Sequence, residues 1–385
     1  MVYFHPFIQR FLYDNAENFE GKKKHRPVLQ ICRRTDVTKL KITLREGQEL
    51  EFEVNRIHLY VFDIEVAILI MEISSQTLAT NLGQIQDFLD QFRRAYPPYW
   101  DRDGAGHSPQ VVKFIGNNNE LLVEGQYNEP KDYLSFVKGY KISPLAEHWK
   151  FLLKPFAPFE RFNVNRDKVR YQQIEDERIP YMAYFAFDDP RLLTKGDMMR
   201  LGLADGSGDS DSLPYSSQFA KQFERDYCYD RFWETDRHEW MNTRYICCGY
   251  AFTMIGTDEP YFFSDAKVGA LAHFRHHYFQ MGLIAHFHKA ALLMLWDELA
   301  QAVAKFSKVQ QSRQQFHDEV RDILEKLLNF SHRYWFTEVS NQVQPKELFD
   351  MWSKHLGSRE LFERVMKEAQ DAHQYFQKKK KLSVN

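Results

Sequence analysis

Along the first third of the chain, apolar and polar residues alternate with a period close to two. LKITL (Leu40–Leu44), ELEFEV (Glu49–Val54) and RIHLYVF (Arg56–Phe62) therefore predict strands, with REGQ (Arg45–Gln48) as the turn between the first two. VAILIMEI (Val66–Ile73) is apolar on both faces, the pattern of a strand buried in the middle of a sheet. The period then lengthens. Leu78, Leu82, Ile85, Phe88, Leu89 and Phe92 recur on one side of a helix predicted from Thr77 to Ala95. Pro97 and Pro98 end it, because neither continues a helical backbone.

The middle of the chain is mixed. VVKFI (Val111–Ile115) and the ELLVEG that follows an Asn-rich turn read as a hairpin, and Arg178–Asp189 and Arg244–Ile255 as two further strands. Leu203–Pro214 (LADGSGDSDSLP) has the acidic spacing of a calcium loop. It lacks the sixth-position glycine and the terminal glutamate, so a flexible surface loop is expected.

From Asp265 onward the pattern is helical. Leu271, Phe274, Tyr278, Met281, Ala285, His288, Leu292, Leu295 and Leu299 alternate steps of three and four, a coiled-coil-like seam. A helix from Asp265 to Ser307 would be ~65 Å long at 1.5 Å per residue. After the polar link SKVQQSRQQ, a second seam runs through Phe316, Val320, Ile323, Leu327, Phe330 and Tyr334, and predicts a helix folded back antiparallel on the first. Pro345 is expected to break or bend the pattern, Gly357 to end a short helix and Ser358 to cap the last one. The fold class that follows is α+β: an N-terminal mixed α/β sheet domain, residues 1–260, then long antiparallel helices forming a stalk, residues 261–385.

Composition narrows the function classes. With 44% apolar and 27% charged residues in 385, a sizeable core forms, and a net charge of −2 gives no general attraction to nucleic acid or anionic lipid. The four cysteines, Cys32, Cys228, Cys247 and Cys248, have neither zinc-ribbon spacing nor the look of a disulfide framework. The first residues lack the basic start and apolar core of a signal peptide. The longest apolar runs, Val66–Met71 and Ala291–Trp296, fall far short of the roughly 20 residues a membrane span needs. A soluble cytoplasmic protein is expected.

Candidate chemistry concentrates in HFRHHYFQMGLIAHFH, His273–His288. His273 and His277 stand one turn apart on one face, as metal-binding histidine pairs do, whereas His288 lies too far along the axis to join them. The alternative is a set of half-exposed histidines flanking a packed seam, with His288 buried in it beside a polar partner. His238-Glu239 is not followed by a histidine three residues on, so the zinc-protease pattern fails, and no phosphate-binding or nucleophile-elbow motif occurs. Nothing in the sequence argues for an enzyme. KKKHR (Lys22–Arg26) and FRRAYPPYW (Phe92–Trp100) mix basic and aromatic residues, and the second reads as a helix end with arginines on the favourable side of the dipole. Phe330–Trp352 is dense in aromatics, with Glu338, Ser340, Asn341, Gln342 and Gln344 close together, and reads as a bent helix junction.

Three stretches resemble the cytoplasmic part of the CorA-like divalent-cation transporter family: RIHLYVFDIEVAILIMEI with the helix after it, LAHFRHHYFQMGLIAHFHKAALLMLW, and NFSHRYWFTEVSNQVQPKELFDMW with the last helix. The resemblance implies an α/β sheet domain, very long helices, a last helix that leads into the first membrane span, and five copies around a magnesium pore. It also implies Mg²⁺ held by carboxylates between subunits of a homo-oligomer. The Gly-Met-Asn pore signature is absent, the only Met-Asn being Met241-Asn242, and Asp63-Ile64-Glu65 lacks the glycine expected in that turn. Phe376 falls where the resemblance places the start of a membrane segment, so Lys378, Lys379, Lys380 and Lys381 would meet acidic headgroups, at about 1 kcal/mol each, or form a solvated helix end. The chain is then expected to be inner-membrane-associated if it is part of a transporter. The rival readings are a stand-alone scaffold that has lost the pore and a metal-dependent enzyme built on His273 and His277.

Overall fold

Strands and long helices segregate along the chain, as the change of period predicts. The structure is a computed structural model that describes residues 3–13, 27–75, 81–97, 99–102, 104, 106–126, 130–140, 144–158, 169–174, 178–209, 215–307 and 313–382. The chain divides into two units. One comprises Met1–Gln30, Val61–Ile68 and Ala272–Asn385; the other comprises Ile31–Tyr60 and Leu69–Leu271. The division thus groups the N-terminal residues and the tip of one hairpin with the helices.

The elements in chain order are α1 (Pro6–Tyr13), β1 (Leu29–Arg34), β2 (Val37–Thr43), β3 (Glu49–Phe62), β4 (Ala67–Ser74), α2 (Leu82–Phe92), β5 (Val111–Gly116) and β6 (Leu121–Gln126). Then come α3 (Pro130–Tyr140), α4 (Glu147–Leu153), the two-residue β7 (Ala157–Pro158) and β8 (Arg170–Tyr171), β9 (Tyr181–Phe187), α5 (Lys195–Leu203) and α6 (Ser217–Tyr227). β10 (Cys228–Phe232), β11 (Thr243–Cys247) and β12 (Ala251–Thr257) complete the strands. The helices that follow are α7 (Ala270–His273), α8 (Phe279–Ser307), α9 (Arg313–Arg333), α10 (Val343–Leu356) and α11 (Ser358–Leu382).

The strand-rich unit holds two main sheets besides the short parallel pair β7–β8. In the larger, the order is β1-β3-β2-β5-β6, with β4 also on β3; β2 pairs antiparallel with both β3 and β5. Alternation along β3 buries Leu50 and Phe52 and exposes Glu49, Glu51 and Glu53, so a slip of one residue would drive carboxylates into the core. The smaller sheet runs β10-β11-β12-β9, antiparallel except for the parallel pair β12–β9. β12 is buried at every position, as a covered inner strand requires. Leu40, Ile42, Phe52, Val112 and Phe114 share one apolar core with Phe88 and Phe92 of α2, Met198 and Leu201 of α5, and Ile246 and Ile255. A capping box holds the start of α5: the Thr194 hydroxyl accepts from the Asp197 backbone N–H, and the Asp197 carboxylate accepts from that of Thr194.

Several boundaries differ from the sequence expectation. Arg244–Ile255 is a hairpin, β11 and β12, because the chain reverses at Gly249, whose φ of 88° suits only glycine. Leu40–Leu44 begins earlier, at Val37, and Glu49–Phe62 runs unbroken through Asn55. β4 is half-buried rather than central, since its described pairing is to β3 alone. The predicted helix from Thr77 starts at Leu82, capped by the Asn81 side chain; residues 76–80 lie outside the described residues, as does Lys22–Arg26.

The helical unit is built on α8, α9 and α11, which all pack against one another. Contacts fix their directions. Lys326 on α9 reaches Glu298 on α8 at 2.8 Å, while Phe306 and Phe316 meet at 4.8 Å, so α9 runs antiparallel to α8. The Lys289 ammonium donates to the Leu356 carbonyl and Trp296 to Glu368, so α11 runs parallel to α8. Seam residues Tyr278, Met281, Ala285, His288, Leu292, Leu295 and Leu299 are buried, and so are Leu283, Ile284, Phe287 and Ala291. That wider apolar face lets α8 contact α9, α10 and α11 at once. Pro345 sits in the first turn of α10, where its missing N–H costs no helical bond. Gly357 ends α10 at φ 63°, but the Ser358 hydroxyl is buried without a partner rather than capping α11.

Candidate functional site: the histidine turn of the helical unit

Between α7 and α8 the backbone widens into a π-helical turn, Phe274–Tyr278. Such turns are rare and occur often at functional positions. His273 precedes the turn and His277 lies inside it. Their Nδ1 atoms stand 2.9 Å apart, so one ring donates a hydrogen and the other accepts it. Both rings are half-buried. Burial holds His273 below the usual histidine range, with His276 adding to the effect, and takes His277 down to about 4, helped by its neighbour His273.

The N-terminal segment builds the wall of this turn. Tyr3 stacks on His277 with ring centres 4.0 Å apart and planes 16° from parallel, and Phe4 meets the same imidazole edge-on at 6.0 Å. Two bonds fix that segment: His5 N–H to the Val339 carbonyl at 3.0 Å, and the Ser340 hydroxyl to the Tyr3 carbonyl at 2.5 Å. Tyr278, next to His277, accepts from the Gln344 amide at 3.0 Å.

His288 stands apart from the pair, as its spacing predicts. It is 1% exposed, and its Nε2–H donates to the Tyr334 carbonyl at 2.6 Å, which fixes the tautomer. Phe330, Trp335, Phe336 and Phe349 surround it. Burial takes it down to about 4, against the opposing effect of the carbonyl bond. This histidine closes the gap between α9 and α10, where the helix is interrupted and freed backbone groups need partners.

The polar residues of the junction divide the same work. Ser340 also accepts from the Gln342 backbone N–H at 3.2 Å, and Glu338 pairs with Lys346 at 3.3 Å on the surface. Lys378–Lys381 fall within α11, and their side chains lie outside the described residues; Leu203–Pro214 is described only to residue 209. Among the described residues, no group of three or more His, Cys, Asp or Glu side chains converges as a metal cluster, and no helix is long and apolar enough to cross a membrane.

Comparison of the chain with protein-family models, with curated proteins and with solved structures finds no match.

Sequence reasoning singled out His273 and His277 but missed their immediate surroundings. Tyr3 is separated from His277 by most of the chain, and no local pattern links them. The π-helical turn also leaves no signature in the spacing of apolar residues.

Proposed function

We propose that this chain is the non-catalytic, assembly-forming part of a CorA-like divalent-cation transporter, with magnesium bridging carboxylates between copies packed through their long helices. One observation carries the reading: the surface between the parallel helices α8 and α11 is an open apolar groove of about 330 Å³. It is lined by Trp296, Leu299, Ala300, Val303, Ala304, Glu368 and Ala372, with Glu368 accepting from the Trp296 indole N–H. Small residues let another helix approach closely, and Val303 is 43% exposed at the rim. A second copy of the chain is the occupant this reading assigns to the groove. On α9, Asp322 and Glu325 expose 65% and 68% of their side chains, pair with Arg321 at 3.5 and 3.8 Å, and carry the hard oxygen ligands that magnesium prefers.

The order of elements also supports the reading: sheets first, then α8, α9 and α11, the last of which carries Lys378–Lys381 in its final turns. In the proposed setting those lysines lie against acidic lipid headgroups.

Native mass spectrometry in chelator and in magnesium tests the proposal. The expected result is a monomer without the ion and a homo-oligomer with it. One monomeric mass at every magnesium level contradicts it.

A further inference from the structure

We infer that His273 and His277 form a binding site for a divalent transition ion of tetragonal or octahedral preference, Cu²⁺ or Ni²⁺, through their two Nδ1 atoms. The site is distinct from any magnesium bridge, because imidazole nitrogens suit first-row transition metals whereas magnesium takes oxygen.

The spacing of the two nitrogens fits such an ion once the rings turn their lone pairs from each other toward it. At metal–nitrogen distances of about 2.05 Å, donors 2.9 Å apart subtend an angle of roughly 90° at the ion. That is the angle between neighbouring ligands in square-planar and octahedral shells. A tetrahedral zinc ion needs nitrogens about 3.3 Å apart, and the pair would have to open to accept it.

The pair is also held in place. Tyr3 stacked on His277 sets that ring's plane, and the bonds from His5 to Val339 and from Ser340 to Tyr3 fix Tyr3 in turn. Without metal, the two rings share one hydrogen between their Nδ1 atoms. With metal, the donor ring alone moves its hydrogen from Nδ1 to Nε2, by exchange with solvent, while its partner already carries its hydrogen on Nε2 and presents an Nδ1 lone pair. Their half-exposed position leaves the ion a path from solvent, and water completes its shell.

The test is frozen-solution electron paramagnetic resonance and calorimetric titration of the full chain with Cu²⁺, then calorimetry with Ni²⁺ and Zn²⁺. The expected result is one tight equivalent with a tetragonal two-nitrogen spectrum, Ni²⁺ bound more tightly than Zn²⁺, and at least a tenfold loss of affinity in His273→Ala and in His277→Ala. Thermal unfolding separates binding from folding: Ni²⁺ raises the midpoint of the wild-type chain and leaves that of each variant unchanged. To guard against variants that fail to fold, His277→Asn keeps a polar side chain at the position and is expected to lose the same equivalent. The inference is overturned if either alanine variant keeps the tight equivalent, if Zn²⁺ binds more tightly than Ni²⁺, or if the wild-type spectrum carries no nitrogen coupling.

Discussion

The Tyr334 hydroxyl donates to an Asp63 carboxylate oxygen at 2.7 Å, joining the residue just beyond α9 to the turn between β3 and β4. Both belong to the helical unit, and the same turn places Phe62 against Phe287, stacked with ring centres 4.0 Å apart. Burial, reinforced by the adjacent carboxylate, holds the phenol above the usual tyrosine range. Removing the hydroxyl in Tyr334→Phe leaves the carboxylate with only Arg333, 3.6 Å away, among the described contacts. Urea unfolding should register a loss of about 1–2 kcal/mol, as for a partly buried bond to a charged acceptor. Asp63→Asn should cost less, because an amide oxygen still accepts.

Glu65, in the same turn, sits at φ 68° without being glycine. Left-handed backbone disfavours a residue with a Cβ, and the Lys326 ammonium, at 3.9 Å, offers little in return at so exposed a position. Glu65→Gly is therefore expected to stabilise the chain by about 0.5–1 kcal/mol. An upward shift in the thermal midpoint checks it; a fall would mean that the ion pair outweighs the strain.

Acid should destabilise the fold through buried histidines. His148 and His288 are fully enclosed, and burial lowers them to about 3 and about 4. In the unfolded chain each titrates at about 6.5, so between those values the unfolded state binds more protons. The stability they contribute is fully present above about pH 6.5 and is lost as pH falls toward about 4, by a few kcal/mol in all. Chemical unfolding at stepped pH measures the slope. His288→Gln, although less stable overall, should show a flatter dependence in that window.

Gly256 of β12 has no room for a side chain. A Cβ there would lie only 2.2 Å from a ring carbon of Phe263, which is itself 3% exposed and stacked on Tyr184 at 4.6 Å. Gly256→Ala is expected to cost about 1–3 kcal/mol by overpacking. A Phe263→Leu change in the same chain should recover part of that loss, which unfolding curves of the three variants would resolve.

Much of this architecture is legible in the sequence because its period is unmistakable. Alternation through ELEFEV and RIHLYVF marks β3, and steps of three and four through Met281, Ala285, Leu292 and Leu299 mark α8. Where pattern and geometry part, the cause is local. CCGYAF is apolar on both sides of Gly249, so periodicity cannot reveal that the chain reverses there. The surroundings of the histidine turn were illegible for another reason. Tyr3 reaches His277 only through tertiary packing, and the gain from stacking two rings leaves no trace in either segment's spacing.

The central claim, assembly through the long helices, is tested most directly at the rim of the α8–α11 groove. Sedimentation velocity of the wild-type chain and of Val303→Glu, each in saturating magnesium, separates the outcomes, since a carboxylate there would be buried without a partner in any assembly that uses the groove. The account predicts an oligomer for the wild-type chain and a folded monomer for the variant. Monomers in both, or equal assembly in both, would contradict it.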